Sequence, residues 1–154
     1  MTILGTPRSL FKKFSFLVEI PGVGRAGFAK CSEISAEIAT VKYWEGGALH
    51  AHKSPGRLEF PDVTLERGST RDLDLYRWFS DVVRLRSGVG LLDPLYKRTV
   101  QVVQLERDGS AARRWTLFNA WPVKFVAGDW DNSADDVVLE QIVLTYDTFD
   151  LGRS

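Results

Sequence analysis

The sequence predicts a mainly β chain of antiparallel strands with one α-helix. Three observations predict it. Short runs with an apolar residue at every second position recur from Phe14 to Tyr146, the pattern of strands with a buried face. Only the stretch from Thr70 to Arg86 repeats with the helical period. Several strands are apolar on both faces: Val137, Leu139 and Val143 oppose Val138, Ile142, Leu144 and Tyr146, and Val100 and Val102 oppose Val103 and Leu105. One helix cannot cover that much surface. Either two sheets pack face to face, or a neighbouring subunit supplies the missing layer. Closure into a barrel or ring would also hide the sheet edges.

Phe14, Phe16, Val18 and Ile20 alternate with Ser15, Leu17 and Glu19 and predict a strand that stops at Pro21-Gly22. From Ile34 the apolar positions run Ile34, Ala36, Ile38 and then change phase to Val41 and Tyr43. That change predicts a bulge, or a strand whose halves pack on different neighbours. Glu45 to Gly56, EGGALHAHKSPG, has paired glycines, two histidines and no apolar period, and reads as a long mobile loop. Leu58, Phe60, Val63 and Leu65 form the next strand-like run, which turns at Arg67-Gly68 into the helix.

Ser69 and Thr70 are candidate N-caps, and Asp72 and Asp74 place negative charge in the first turn, where free amides and the helix dipole favour it. Arg84 and Arg86 sit at the other end, and Gly88 supplies a stop. Leu75, Tyr76, Trp78, Phe79, Val82, Val83 and Leu85 fall on one half of the helix, with Leu75, Trp78, Phe79, Val82 and Val83 expected to pack. Arg77 and Asp81 are spaced to pair on the other half. After a loop that turns at Asp93-Pro94 come a strand over 99–105, a hairpin turn at Asp108-Gly109, and a strand from Trp115 that Pro122 interrupts. Val123 to Val126 is a continuation or an edge. A polar loop, 129–136, precedes the last strand, 137–146.

The chain has 154 residues, of which 44% are hydrophobic, enough for one domain over 1–154 with a real core and too little for two. Twenty acidic and twenty basic residues cancel, so no global field recruits nucleic acid or an anionic membrane. The lone Cys31 excludes an internal disulfide framework and suits a reducing cytosol. No apolar run spans a bilayer, and the start, with Lys12 and Lys13 after its apolar residues, lacks a signal-peptide core. Stable membrane insertion and classical secretion are not expected.

The motifs that suggest chemistry each fail on context. Gly22-Val23-Gly24-Arg25-Ala26-Gly27 fits a dinucleotide fingerprint, but a strand pattern follows it where a helix N-terminus is needed. Asp129, Asp131, Ser133 and Glu140 match calcium-loop positions, but Ala134 stands where glycine is required. His50 and His52 share one side of an extended segment without a third ligand implied by spacing. Nothing fixes a base beside Cys31, and Arg113-Arg114-Trp115 is one cluster in a neutral chain. No catalytic residue, metal site or cofactor is expected.

Three ordered blocks resemble the tail tube protein family of contractile-tailed phages and contractile injection systems. They are Phe14 to Ile20 with Ala26-Gly27-Phe28 and Cys31-Ser32-Glu33-Ile34; Tyr43-Trp44-Glu45-Gly46-Gly47 through Pro55-Gly56 to Thr64-Leu65-Glu66-Arg67-Gly68; and Asn119-Ala120-Trp121-Pro122-Val123-Lys124 followed by 137–144. The likeness runs from about Leu10 to Phe149, and the segments 128–136 and 146–149 depart from it.

The resemblance implies a small β-sandwich or barrel with one flanking helix, six copies closing a hexameric ring, and rings stacking into a hollow tube inside a contractile sheath. By that analogy the loop residues Glu45, Gly46, Gly47, His50, His52 and Lys53 are expected to order against an adjacent ring. Val41, Tyr43, Leu58, Glu59 and Glu66 are expected in strands that meet another subunit or the lumen. Implied partners are further copies of the chain, sheath and baseplate or hub proteins, and cargo or DNA in the lumen. Assembly would start in the cytoplasm. A tube initiator or baseplate-proximal copy, and the ring-forming tube protein of type VI secretion, are alternatives within this architecture. A cytosolic β-sandwich binding module is the alternative outside it.

Overall fold

The computed structural model describes residues 16–22, 24–28, 30–68, 73–87, 96–128 and 139–152, without the side chains of 24–27 and 85–87. Outside them lie Phe14, the proposed caps Ser69 and Thr70, Asp72, the stop Gly88, the turn at Asp93-Pro94, the polar loop 129–136, and Val137 and Val138. The described chain has ten strands and one helix: β1 Phe16–Ile20, β2 Gly24–Gly27, β3 Lys30–Cys31, β4 Glu37–Tyr43, β5 His52–Glu59, β6 Val63–Gly68, α1 Asp74–Ser87, β7 Arg98–Leu105, β8 Ala111–Ala127, β9 Leu139–Thr145 and β10 Thr148–Gly152. Every strand pair is antiparallel.

Eight strands form the body in the order β2-β1-β7-β8-β9-β6-β3, with β10 also on β8; β4 and β5 pair only with each other. The 17-residue β8 makes this arrangement possible. Its first half pairs with β7 and β10, and its second half, from Trp121, pairs with β9. Pro122 interrupts neither, because two register shifts flank it. On the β7 side Phe118 and Asn119 oppose the single residue Thr99, and Asn119 takes φ 54°, a left-handed conformation that asparagine tolerates. On the β9 side Val123 is the extra residue between Pro122↔Leu144 and Lys124↔Val143. Bulges bend a strand and change its partners. The sequence-based choice between continuation and edge is therefore settled as a continuous, bulged strand.

The core joins residues from β1, β6, β7, β8 and β9: Phe16, Val18, Ile20, Val63, Leu65, Val100, Val102, Leu117, Ile142 and Leu144 are buried. Val102 and Val103 are consecutive and both buried, so β7 is covered on both faces, as its pattern predicted. The final strand differs in part. Ile142, Leu144 and Tyr146 are buried, whereas Leu139 is exposed and Glu140 is buried. Glu140 accepts a hydrogen bond from Arg67 Nε within the sheet, and the Arg67 guanidinium lies 5.5 Å from the Phe28 ring centroid. Glu140 is thus committed to an ion pair, which removes it from the calcium-loop reading.

The helix begins at Asp74, with Arg77 N–H bonded to Leu73 C=O. Leu75 and Trp78 are buried, and Phe79 and Val82 half-buried, against the second half of β8, where Phe125 meets the Tyr76 and Phe79 rings. Val83 corrects the expected packing face, being about half exposed, as is Tyr76 on the same apolar half. Both flank the contact stripe, and the helix touches one narrow strip of sheet. Arg77 pairs with Asp74 at 3.6 Å, one turn earlier than the expected Asp81.

Turn chemistry follows the sequence. Gly22 has φ 79° and a Cβ there would collide with the Arg98 guanidinium, which donates to Pro21 C=O at 2.8 Å. Gly109 has φ 87° in the β7–β8 hairpin, with Ser110 N–H bonded to Asp108 Oδ1 at 2.9 Å. The glycine fingerprint becomes a β-turn and β2, so there is no helix dipole for a phosphate. β10 was not predicted; its five residues alternate too briefly to stand out from a loop.

Candidate functional site

The hairpin β4–β5 is the part of the described structure that the body does not use. It forms its own two-stranded sheet, and every residue of β4 is exposed. A two-stranded hairpin alone in water is marginal at best, and this one carries Ile38, Val41, Tyr43 and Leu58 at about half exposure with Trp44 beyond them.

Its register explains the phase change at Ile38 to Val41. Ile38 pairs with Leu58 and Thr40 with Pro55, so Gly56 and Arg57 together oppose Ala39. The extra residue lies in β5, and β4 runs on without a break. Alternation then puts Glu37, Ala39, Val41 and Tyr43 on one face of the hairpin and Ile38, Thr40 and Lys42 on the other. Each face has apolar and charged residues, and neither has a layer over it. A Cβ on Gly56 would come within 2.9 Å of Val41 Cγ2 and 3.0 Å of Ala39 O, so any larger residue at the bulge forces its neighbours to shift.

The expected loop Glu45–Gly56 is corrected to a shorter tip, because β5 already starts at His52. Pro55 and Gly56 read as breakers, but an edge strand tolerates proline and a bulge uses glycine. The tip turns at Gly47, φ 81°, with Ala48 N–H bonded to Glu45 C=O at 3.0 Å. Glu45, Gly46, Gly47 and His50 lie in the tip; His52 and Lys53 lie in β5. His52 stacks on Tyr43 with ring centroids 5.2 Å apart, meets His50 edge-on at 5.7 Å, and has Nε2 3.7 Å from Glu45 Oε2. No group of three potential metal ligands is close enough to hold an ion among the described residues.

The expected run Leu58 to Leu65 is also two strands rather than one. Pro61 has no N–H and restricts Phe60, so β5 ends at Glu59 and β6 starts at Val63 in a different sheet. This separates the predicted assembly residues. Val41, Tyr43, Leu58 and Glu59 come together on the hairpin, whereas Glu66 sits half-buried in the body, accepting from Gln141 Nε2 at 2.6 Å.

The other candidate motifs are absorbed by structure. Burial raises the Cys31 thiol from 9.0 to about 11 and its Sγ donates to Ser32 C=O, which leaves a poor nucleophile. Arg114 lies along β8 against Gln101 at 2.7 Å and Glu19 at 3.4 Å. No described helix is long and apolar enough to cross a membrane.

Comparison with solved structures shows the fold. The chain is similar to a chain of the anti-feeding prophage baseplate, 6-fold symmetrised, at 20% identity and TM-score 0.77, covering 99% of this chain and 98% of that one. It is similar to a chain of the sheath-tube complex of the PVC extracellular contractile injection system in its extended state, at 18% identity and TM-score 0.77 with full coverage of both. Hcp1 from Flavobacterium johnsoniae is more distant, with 15% identity, TM-score 0.58, and coverage of 92% and 97%. Curated protein sequences give no match. The family described as T4-like virus tail tube protein gp19 matches residues 12–150. The chain therefore belongs to the T4-like virus tail tube protein gp19 family, a family of structural tube proteins.

Proposed function

We propose that six copies of this chain, each one tube domain, close a ring through the β4–β5 hairpin, and that rings stack into the inner tube of a contractile particle. The observation that carries this reading is the hairpin's exposure on both faces. In a ring, one face would cover a neighbouring body and the other would line the channel, giving Val41, Tyr43, Leu58 and Glu59 their partners. The tip from Glu45 to His50, with His52 and Lys53 behind it, would meet the next ring. Sheath outside, baseplate or hub below, and cargo or DNA within the channel complete the set of partners. The subunit is made and assembled in the cytoplasm and performs no catalysis; its work is to hold a channel open while the sheath drives it.

The likeness to a baseplate chain supports a second reading, a tube-initiating copy. Negative-stain electron microscopy of the purified protein separates the two. Open-ended tubes are expected for the bulk subunit, single rings that cap without elongating for the initiator, and monodisperse monomers would refute both.

A further inference from the structure

Both histidines of the chain meet at the tip of the β4–β5 hairpin. His52 stands directly opposite Tyr43 in the last pair of the ladder, and the two rings stack with centroids 5.2 Å apart and planes 21° from parallel. His50 meets the same imidazole edge-on at 5.7 Å, and Glu45 Oε2 lies 3.7 Å from His52 Nε2. Residues 44–51 belong to neither strand. The main-chain hydrogen bond described within them, from Ala48 N–H to Glu45 C=O, closes a local turn and does not reach β5. The ring cluster is therefore what joins the two sides of the tip.

Histidine is the side chain that ordinarily changes charge between about pH 5 and 8, and the charges around this pair decide what that change does. Glu45 is the acid beside it. Lys42 and Lys53, opposite each other in the next pair, fall on the other face of the hairpin by alternation and add positive charge nearby. Glu37 and Glu59 are paired at the far end of the strands, about 20 Å from Tyr43 and His52, and are screened from them. One imidazolium is accommodated: on His52 it lies over the Tyr43 ring and faces Glu45. Two are not, because like charges then stand 5.7 Å apart with one carboxylate to share.

We propose that His50 and His52 form a pH-operated clasp on the hairpin tip. With at most one imidazole charged, the pair holds the tip closed on Tyr43 and Glu45; with both charged, His50 is driven away from His52 and the tip opens. The opening is a property of the single chain. Its consequence for assembly rests on the reading given above, in which the tip meets the next ring: stacking holds near neutral pH and loosens in acid, with every copy in a ring contributing its clasp.

Because the chain has two histidines, untagged protein labelled at histidine reports this cluster alone. Imidazole NMR of the full chain is expected to show the His50–His52 ring contact at about pH 7.5 and its loss by about pH 5. His50→Asn removes the second charge and is the control for acid effects elsewhere. Amide exchange over 44–51, compared at equal pH, should be severalfold faster in wild type than in His50→Asn at the lower value and no faster at the upper. Sedimentation of stacked rings should fall in acid for wild type and hold for His50→Asn. A His50–His52 contact that survives at the lower pH, or tip exchange that rises alike in both proteins, overturns the clasp and leaves the tube reading intact. Wild-type stacks indifferent to pH while the tip opens overturn its link to stacking. A chain that forms no rings at neutral pH overturns the assembly reading and the stacking consequence with it, while the histidine signals still decide the clasp.

Discussion

The indole Nε1 of Trp78 donates to the main-chain carbonyl of Tyr96 at 2.7 Å, so the largest buried side chain of the helix also fastens the segment that leads into β7. Trp78 is 1% exposed. Trp78→Ala should cost about 3–5 kcal/mol for the lost volume, with the orphaned carbonyl adding to it. Phe79 is only half-buried, and Phe79→Ala should cost roughly half as much. Urea unfolding of both variants checks the order; equal losses would mean the helix sits on the sheet through Phe79.

Arg67 and Glu140 are both buried and face each other between β6 and β9. Glu140→Ala should destabilise by about 3–5 kcal/mol, because it leaves the guanidinium in the sheet with its main partner removed. Arg67→Met combined with Glu140→Leu should recover most of that loss. A single variant as stable as wild type would show the pair to be better solvated than its burial indicates.

Gly56→Val tests the hairpin separately from the body. The new side chain meets Val41 and the Ala39 carbonyl, so the bulge must open, yet no core residue is touched. Unfolding free energy should change by less than about 1 kcal/mol, while ring formation fails. Normal rings would remove the hairpin from the interface.

Replacing Trp44 to Ala51 by a two-residue Asn-Gly turn closes the hairpin directly on the Tyr43–His52 pair and should keep the β4–β5 register and the ring and abolish stacking. Electron micrographs provide the readout, and tubes of ordinary length would refute the contact assigned to the tip.

Cys31 gives a pH prediction with a definite sign. Its folded pKa is raised from 9.0 to about 11 by burial, so the folded state holds the proton more tightly than the unfolded state. The associated stability is complete below about pH 9 and is lost as pH rises through the folded value, by about 2–3 kcal/mol in all. The raised Tyr146 acts in the same direction. Urea midpoints measured from neutral to strongly alkaline pH should fall in this window, and Cys31→Ala should flatten part of the fall. At neutral pH the thiol should alkylate slowly until the chain unfolds.

Local patterns were legible because they depend on neighbours in the chain. The period-two runs, the helix over Trp78, the Asp108-Gly109 turn and the two-sided strand at Val102 and Val103 all follow from side-chain alternation and glycine or asparagine geometry. Pro55, Gly56 and Pro122 misled for the opposite reason. Whether a breaker ends a strand depends on whether that strand is an edge or carries a bulge, which is a property of its partner. The same limit merged β5 with β6, hid β10, and grouped Glu66 with Glu59 although the two lie in different sheets.

Alternation and helical period in the chain were enough for a mainly β fold with an amphipathic helix and more apolar strand surface than that helix can cover, and the ordered blocks were enough for the family. Which surface is left over was fixed by long-range pairing. Burial in a sheet is settled by pairing between residues far apart in the chain. Only once β6 to β9 have paired among themselves does β4–β5 stand outside the body with both faces uncovered, and Glu37 come to lie opposite Glu59.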